Sequence, residues 1–145
     1  MFCLSPRRNL GLILLSALIA APAIAHEVEV SGNVAATFHL EPNHSPKAGQ
    51  PSQAWFALTR KGGQVIPLSQ CNCRLAVYPE PHKEGSSPIM NPFLKAVSAD
   101  QYQNIPGADI VFPKAGAYEL KLSGTPKNGA SFRPFTLTYE VNVGS

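Results

Sequence analysis

The stretch Phe135-Thr136-Leu137-Thr138-Tyr139-Glu140-Val141-Asn142-Val143 alternates apolar and polar side chains without a break. A period of two is typical of a β-strand with one buried and one exposed face. No window of about eleven residues shows a convincing helical period. The same alternation occurs in earlier segments, at residues 28–30, 34–40, 52–60, 71–77, 110–112 and 118–122.

Turn signals separate these segments. Lys61-Gly62-Gly63-Gln64 is a hairpin signal, and Pro113-Lys114-Ala115-Gly116 marks another turn. Seven or eight short strands joined in this way predict an all-β fold with two antiparallel sheets. The uneven loop lengths favour a sandwich over a closed barrel. The residues expected to face inward are Phe56, Leu75, Val77, Tyr118, Leu120, Leu137 and Tyr139.

The first 25 residues have the pattern of an export signal. Arg7 and Arg8 form a basic region, residues 10–20 are apolar, and Ala23-Ile24-Ala25 is a small-x-small cleavage site. The apolar segment is shorter than the roughly 20 residues that span a bilayer. We therefore expect residues 1–25 to be a signal peptide and residues 26–145 to be one exported, periplasmic domain without a stable membrane span.

The charge balance gives no reason to expect a polyanionic partner. Removal of Arg7 and Arg8 leaves ten basic residues against nine acidic ones, a net charge of +1 for the mature chain. No basic run marks a nucleic-acid or anionic membrane surface. We therefore expect no nucleic-acid binding.

The segment from Phe112 to Leu122, Phe-Pro-Lys-Ala-Gly-Ala-Tyr-Glu-Leu-Lys-Leu, resembles the strand entry of immunoglobulin-like periplasmic domains. Pro46-Lys47-Ala48-Gly49-Gln50-Pro51, followed by an alternating strand, is similar to the YtkA-like and FixH-like group. The resemblance spans about residues 34–143 and implies an immunoglobulin-like antiparallel β-sandwich. The methionine-rich stretch of YtkA-like proteins is absent, and only Met90 stands near its place.

Cys71 and Cys73 are the only cysteines after the predicted cleavage site. On an extended strand their Cα atoms would lie about 6.8 Å apart, at the outer edge of disulfide reach. Three states fit this spacing: a strained disulfide, a thiolate pair for a soft metal such as Cu(I), or two small buried hydrophobic side chains.

The histidines are a second candidate set. Cleavage after Ala25 would make His26 the first residue, so that its amine and ring could bind one copper ion, as in the brace of CopC-like proteins. His39 and His44 lie near the first long connection, and His82 lies in a later one. A mobile terminus with solvent-facing histidines is the alternative.

The long connection at residues 79–92 contains four prolines together with His82 and Met90. Loops of this length are commonly functional or disordered, and prolines reduce the entropy that a loop loses when it binds a partner. His82 and Met90 are possible copper ligands, and a variable surface loop is the alternative.

The sequence contains no complete catalytic motif, so we expect no enzymatic activity. The favoured interpretation is a non-catalytic periplasmic accessory or protein-interaction domain without a cofactor, whose partner is an unidentified membrane or exported protein. The alternative is a copper-binding or copper-delivery protein. Its tentative ligands are Cys71, Cys73, His26, His82 and Met90.

The signal-peptide prediction is tested by the mass of the protein recovered from its native host. We expect the intact mass of residues 26–145, because the small residues Ala23 and Ala25 suit signal peptidase. A mass that still includes Met1–Ala25 would contradict the prediction.

Overall fold

The computed structural model describes residues 26–145, which form eight β-strands in two antiparallel sheets. The five-stranded sheet has the order β1-β2-β3-β6-β5, and the three-stranded sheet has the order β4-β7-β8. The strands are β1 (Glu27–Ser31), β2 (Val34–Glu41), β3 (Pro51–Arg60), β4 (Cys71–Pro79), β5 (Lys95–Ala99), β6 (Tyr102–Val111), β7 (Gly116–Pro126) and β8 (Phe135–Val143).

This architecture confirms the predicted antiparallel β-sandwich of seven or eight strands. The only helical element within residues 26–145 is a 3-10 turn at Leu68–Gln70. Between His26 and Ser145, no helix has the length and apolar character needed to cross a bilayer. The predicted signal peptide at residues 1–25 lies outside the described residues.

The main core lies between the two sheets. The seven side chains expected to face inward are all buried, which confirms the direction of the alternation: Phe56, Leu75, Val77, Tyr118, Leu120, Leu137 and Tyr139.

The Tyr118 hydroxyl donates a hydrogen bond to the Lys114 carbonyl at 2.7 Å, so this side chain secures the entry to β7 as a tyrosine corner does.

Three aromatic rings join the sheets at the centre of this core. Phe38 lies 5.2 Å from Phe56 on the neighbouring strand and 4.7 Å from Tyr139 on the opposite sheet, measured between ring centroids. The Tyr139 hydroxyl also donates to the Ala36 carbonyl at 3.3 Å. The aromatic group therefore fixes how the two sheets face each other.

Strand β1 presents its valines to solvent. Val28 is 57% exposed and Val30 is 67% exposed, because β1 is the edge strand of the larger sheet and no strand or helix within residues 26–145 covers its outer side. Glu27 and Glu29 occupy the other face. Burial, and then the charges of Glu29 and Glu140, raise the pKa of Glu27 above its usual value.

A smaller apolar cluster covers part of the outer face of the five-stranded sheet. Its buried members are Trp55, Ala57 and Ile105, and Val97, Ala99 and Tyr102 pack against them. Because side chains alternate along a strand, Trp55 points outward where its neighbour Phe56 points into the main core. The outer face therefore offers an apolar support beside His39, the cross-strand partner of Trp55.

Leu120 provides a direct test of the core. It is fully buried between the sheets, so Leu120→Ala should lower the free energy of unfolding by about 2–5 kcal/mol through loss of contacts and cavity formation. Urea unfolding measures this difference. Val30→Ala is the matched control, because Val30 is 67% exposed and its truncation should change stability by less than about 0.5 kcal/mol. A similar loss for both variants would contradict the assignment of the buried faces.

Candidate metal centre

Three histidines meet on the outer face of the five-stranded sheet, and we call them the His trio: His26, His39 and His44. One ligand nitrogen from each can be chosen so that all three lie within 4.8 Å of one another. His39 is in β2, and His26 immediately precedes β1. The β1–β2 register pairs Glu27 with Phe38, so His26 comes beside His39, with 5.1 Å between ring centroids.

His44 reaches the same place through the turn that follows β2. Asn43 and His44 adopt positive φ angles of 49° and 53°, in the left-handed region that asparagine and histidine enter more readily than most residues. The His44 amide donates to the Leu40 carbonyl at 2.8 Å, which closes the turn. The turn thus returns the His44 ring to His39, with 4.4 Å between ring centroids.

Glu41 fixes the orientation of the His39 ring. His39 Nε2 lies 2.8 Å from Glu41 Oε1. An ionised carboxylate only accepts hydrogen bonds, so Nε2 carries the proton and donates it. His39 Nδ1 is then the nitrogen with the free lone pair, and it lies 2.9 Å from His44 Nε2. Without a metal, His44 donates this hydrogen bond. For both nitrogens to bind a metal, His44 would have to carry its proton on Nδ1 instead, which leaves the Nε2 lone pair free.

The surroundings of the trio are apolar on one side and open on the other. The Trp55 ring stacks on His39 at 5.1 Å between centroids and 24° between planes, and Phe38 meets His44 edge-on at 5.9 Å. His39 is 8% exposed, whereas His26 is exposed. The supporting side is therefore packed and shielded, and the His26 side gives access from solvent.

The electrostatics of the trio favour its metal-binding form. Partial burial lowers the pKa of His44 below its usual value, and interaction with His39 and then His26 lowers it further, against an opposing effect of Glu41. Neutral imidazole is the form that binds metal ions. His44 therefore stays neutral, and able to bind a metal ion, down to a lower pH than a solvent-exposed histidine does.

Cys71 and Cys73 form a disulfide, one of the three states that fitted their spacing. Their Cα atoms are 5.2 Å apart, closer than on a regular strand. Gly124 on β7 leaves room for this bridge, since a Cβ there would lie 2.6 Å from Cys71 Sγ. In the disulfide state neither sulfur is a thiolate, so the pair offers no site for Cu(I).

The remaining tentative ligands belong to other parts of the molecule. Met90 pairs with Val77 through the backbone, and its side chain packs against the main core. His82 lies between Glu80 and Glu119, next to the smaller sheet. Of the five ligands proposed from sequence, only His26 is in the trio, which His39 and His44 complete.

Sequence reasoning overlooked Glu41 and Trp55 and did not bring His39 and His44 together with His26. A usable signal was present in Gly32-Asn33 between two alternating segments, which is a two-residue hairpin loop with Gly32 at φ 61°. A hairpin closed there pairs Ser31 with Val34, and five residues further along each strand it leads to His26 and His39.

No family model matches the chain, and no curated protein matches it. Among solved structures, it is similar to the crystal structure of a DUF4426 family protein from Pseudomonas aeruginosa PAO1, with a TM-score of 0.52 and 10% sequence identity. The match covers 82% of this chain and 99% of that chain. At this identity the likeness shows a shared all-β fold and nothing about the metal centre.

Proposed function

We propose that the chain is an exported, non-catalytic protein that binds copper at the His trio. The observation that carries this proposal is the placement of His39 Nδ1, 2.9 Å from His44 Nε2, by the hydrogen bond from His39 Nε2 to Glu41. A carboxylate that orients a histidine in this way is the usual outer partner of a metal-bound imidazole.

The donor set favours copper over other common metal ions. Imidazole nitrogen suits copper, and Cu(II) binds nitrogen ligands more tightly than the other divalent first-row ions do. The site groups three imidazoles. Glu41, the carboxylate that contacts the trio within residues 26–145, accepts from His39 Nε2 and does not contact His39 Nδ1 or His44 Nε2. Calcium and magnesium, which prefer oxygen ligands, are poor matches for such a site.

Cleavage after Ala25 would add a further ligand. The new amino group would belong to His26, whose ring is already in the trio. An amine and an imidazole of one residue can bind the same copper ion and would join the rings of His39 and His44. The predicted export route thus supports the proposal, because processing would complete the site.

The periplasmic accessory role predicted from sequence is compatible with copper binding. A protein that holds copper without catalysis serves by storing the ion or by passing it to a membrane or exported partner. The resemblance of residues 34–143 to the YtkA-like and FixH-like group supports this placement, and we propose it as the cellular setting.

Trp55 provides a reporter for copper binding, since it is the single tryptophan and stacks on His39. We expect one equivalent of Cu(II) to quench its fluorescence in protein that begins at His26. His39→Ala or His44→Ala should weaken binding by more than about 100-fold, because loss of an outer partner alone costs about 10–100-fold.

Glu41→Gln tests the orienting hydrogen bond, and we expect binding to weaken by about tenfold. Glu84→Gln is the matched control, because Glu84 is exposed in the long loop and the chemical change is the same. Fluorescence titration against a competing chelator gives the affinities. Binding weaker than about 1 μM in the unaltered protein, or equal effects of the two glutamate variants, would refute the proposal.

The role of the amino group is tested by adding one alanine before His26. The ring positions stay as they are, whereas the amine moves away from His26, so we expect affinity to fall by at least about tenfold. An alanine added after Ser145 is the control. Equal copper affinity of the two extended proteins would show that the amine takes no part.

A further inference from the structure

A second group of metal-binding side chains lies beside the three-stranded sheet, and we call it the Glu–His cluster: Glu80, His82 and Glu119. One ligand atom from each can be chosen so that all lie within 4.8 Å of one another. Glu119 is in β7, directly across from Tyr78 in β4. Glu80 follows the end of β4, where its amide donates to the Ala117 carbonyl at 2.9 Å. Two backbone pairings therefore position the two carboxylates.

The His82 ring is held between them by stacking. It lies over Tyr78 with 4.5 Å between centroids and 16° between planes. The side chains of His82, Glu80 and Glu119 are 16%, 27% and 21% exposed. The cluster is thus partly shielded from water yet reachable by a small ion.

The ring nitrogens of His82 face carboxylates on both sides. Nδ1 lies 3.2 Å from Glu80 Oε1, and Nε2 lies 3.7 Å from Glu119 Oε1. Nδ1 is buried and makes no hydrogen bond, because its alignment with Glu80 is unsuitable despite the short separation. A buried polar atom without a partner is costly and needs an explanation.

The surrounding charge also favours a cation. Glu140 in β8 is directly opposite Glu119, and like charges in this position destabilise a sheet. The nearby ammonium of Lys121 opposes this effect, but it lies over the Tyr78 ring, 5.1 Å from its centroid, and forms no ion pair with the carboxylates of the cluster. A divalent ion bound by Glu80, His82 and Glu119 would offset the carboxylate repulsion and give the imidazole a partner.

We propose that the Glu–His cluster is a second metal site, specific for a divalent ion of the zinc class. Zinc binds imidazole nitrogen and carboxylate oxygen at about 2.0–2.2 Å, commonly in a tetrahedron whose ligands are about 3.3 Å apart. The 3.2 Å between His82 Nδ1 and Glu80 Oε1 is close to this separation. Glu119 lies nearer the other ring nitrogen, so its side chain would have to rotate toward Nδ1 to supply a third ligand, and water would take the fourth position.

The two sites differ in ligand chemistry. The His trio supplies imidazoles, whereas the Glu–His cluster supplies one imidazole and two carboxylates. Each lies on the outer side of a different sheet, and they share no residue. The second site is therefore independent of the copper proposal, and either can fail without the other.

The test uses protein in which His39→Ala and His44→Ala remove the trio. Calorimetric titration with Zn²⁺ should show one equivalent bound, and Zn²⁺ should raise the melting temperature by mass action. His82→Gln or Glu119→Gln should weaken zinc binding by at least about tenfold and abolish that rise. Glu84→Gln, an exposed glutamate two residues after His82, should leave both unchanged.

Cobalt gives a second readout, because tetrahedral Co(II) absorbs visible light strongly and His82→Gln should remove this band. If the double variant does not fold, the same titrations are done in unaltered protein, where the losses caused by His82→Gln and Glu119→Gln identify the binding at the cluster. Zinc affinity weaker than about 0.1 mM, or binding that survives both His82→Gln and Glu119→Gln, would overturn the proposal. Either result would mean that the Glu–His cluster does not hold the ion.

Discussion

The contact of Phe38 with Phe56 and Tyr139 is the constraint on which the rest of the structure depends. These rings fix which faces of the two sheets pack together. Because successive side chains of a strand point to opposite faces, this also fixes the direction of the side chains on either side of each ring. With Phe38 and Phe56 directed inward, His39 and Trp55 must point outward, where the register makes them direct partners. The grouping of histidines on the outer face is thus a consequence of how the inner face packs.

The fold was largely predictable because its signal is local. Each strand shows which side chains it buries, and a two-sided sandwich needs little more than this alternation and the turns between strands. The alternation of residues 27–30 was equally visible in the sequence, but the sequence did not show which of its two faces points toward the core. Val28 and Val30 point outward because the β1–β2 register pairs them with Thr37 and Ala35, and that register depends on the neighbouring strand and not on β1 itself.

The candidate sites were less predictable because they depend on pairing between segments. His26 and His39 meet through the register of one hairpin, and His44 joins them only because its turn enters the left-handed region. His82 and Glu119 meet through the pairing of β4 with β7, whose residues are far apart in the chain. The predicted cleavage site nominated His26, and its place in a long loop nominated His82, whereas their actual neighbours required the assembled sheets.

The position of His26 at the start of an edge strand links metal occupancy to local opening. Among residues 26–145, strand β1 is paired on one side only, by β2, so we expect its amides to exchange hydrogen more readily than those of the central strands. An ion shared by His26 and His39 would fasten the outer end of β1 to its neighbour and slow this exchange. Loss of the ion would free an edge with two exposed valines, the kind of surface to which another strand can add. The edge strand could thereby communicate the metal state to a partner without any rearrangement of the core.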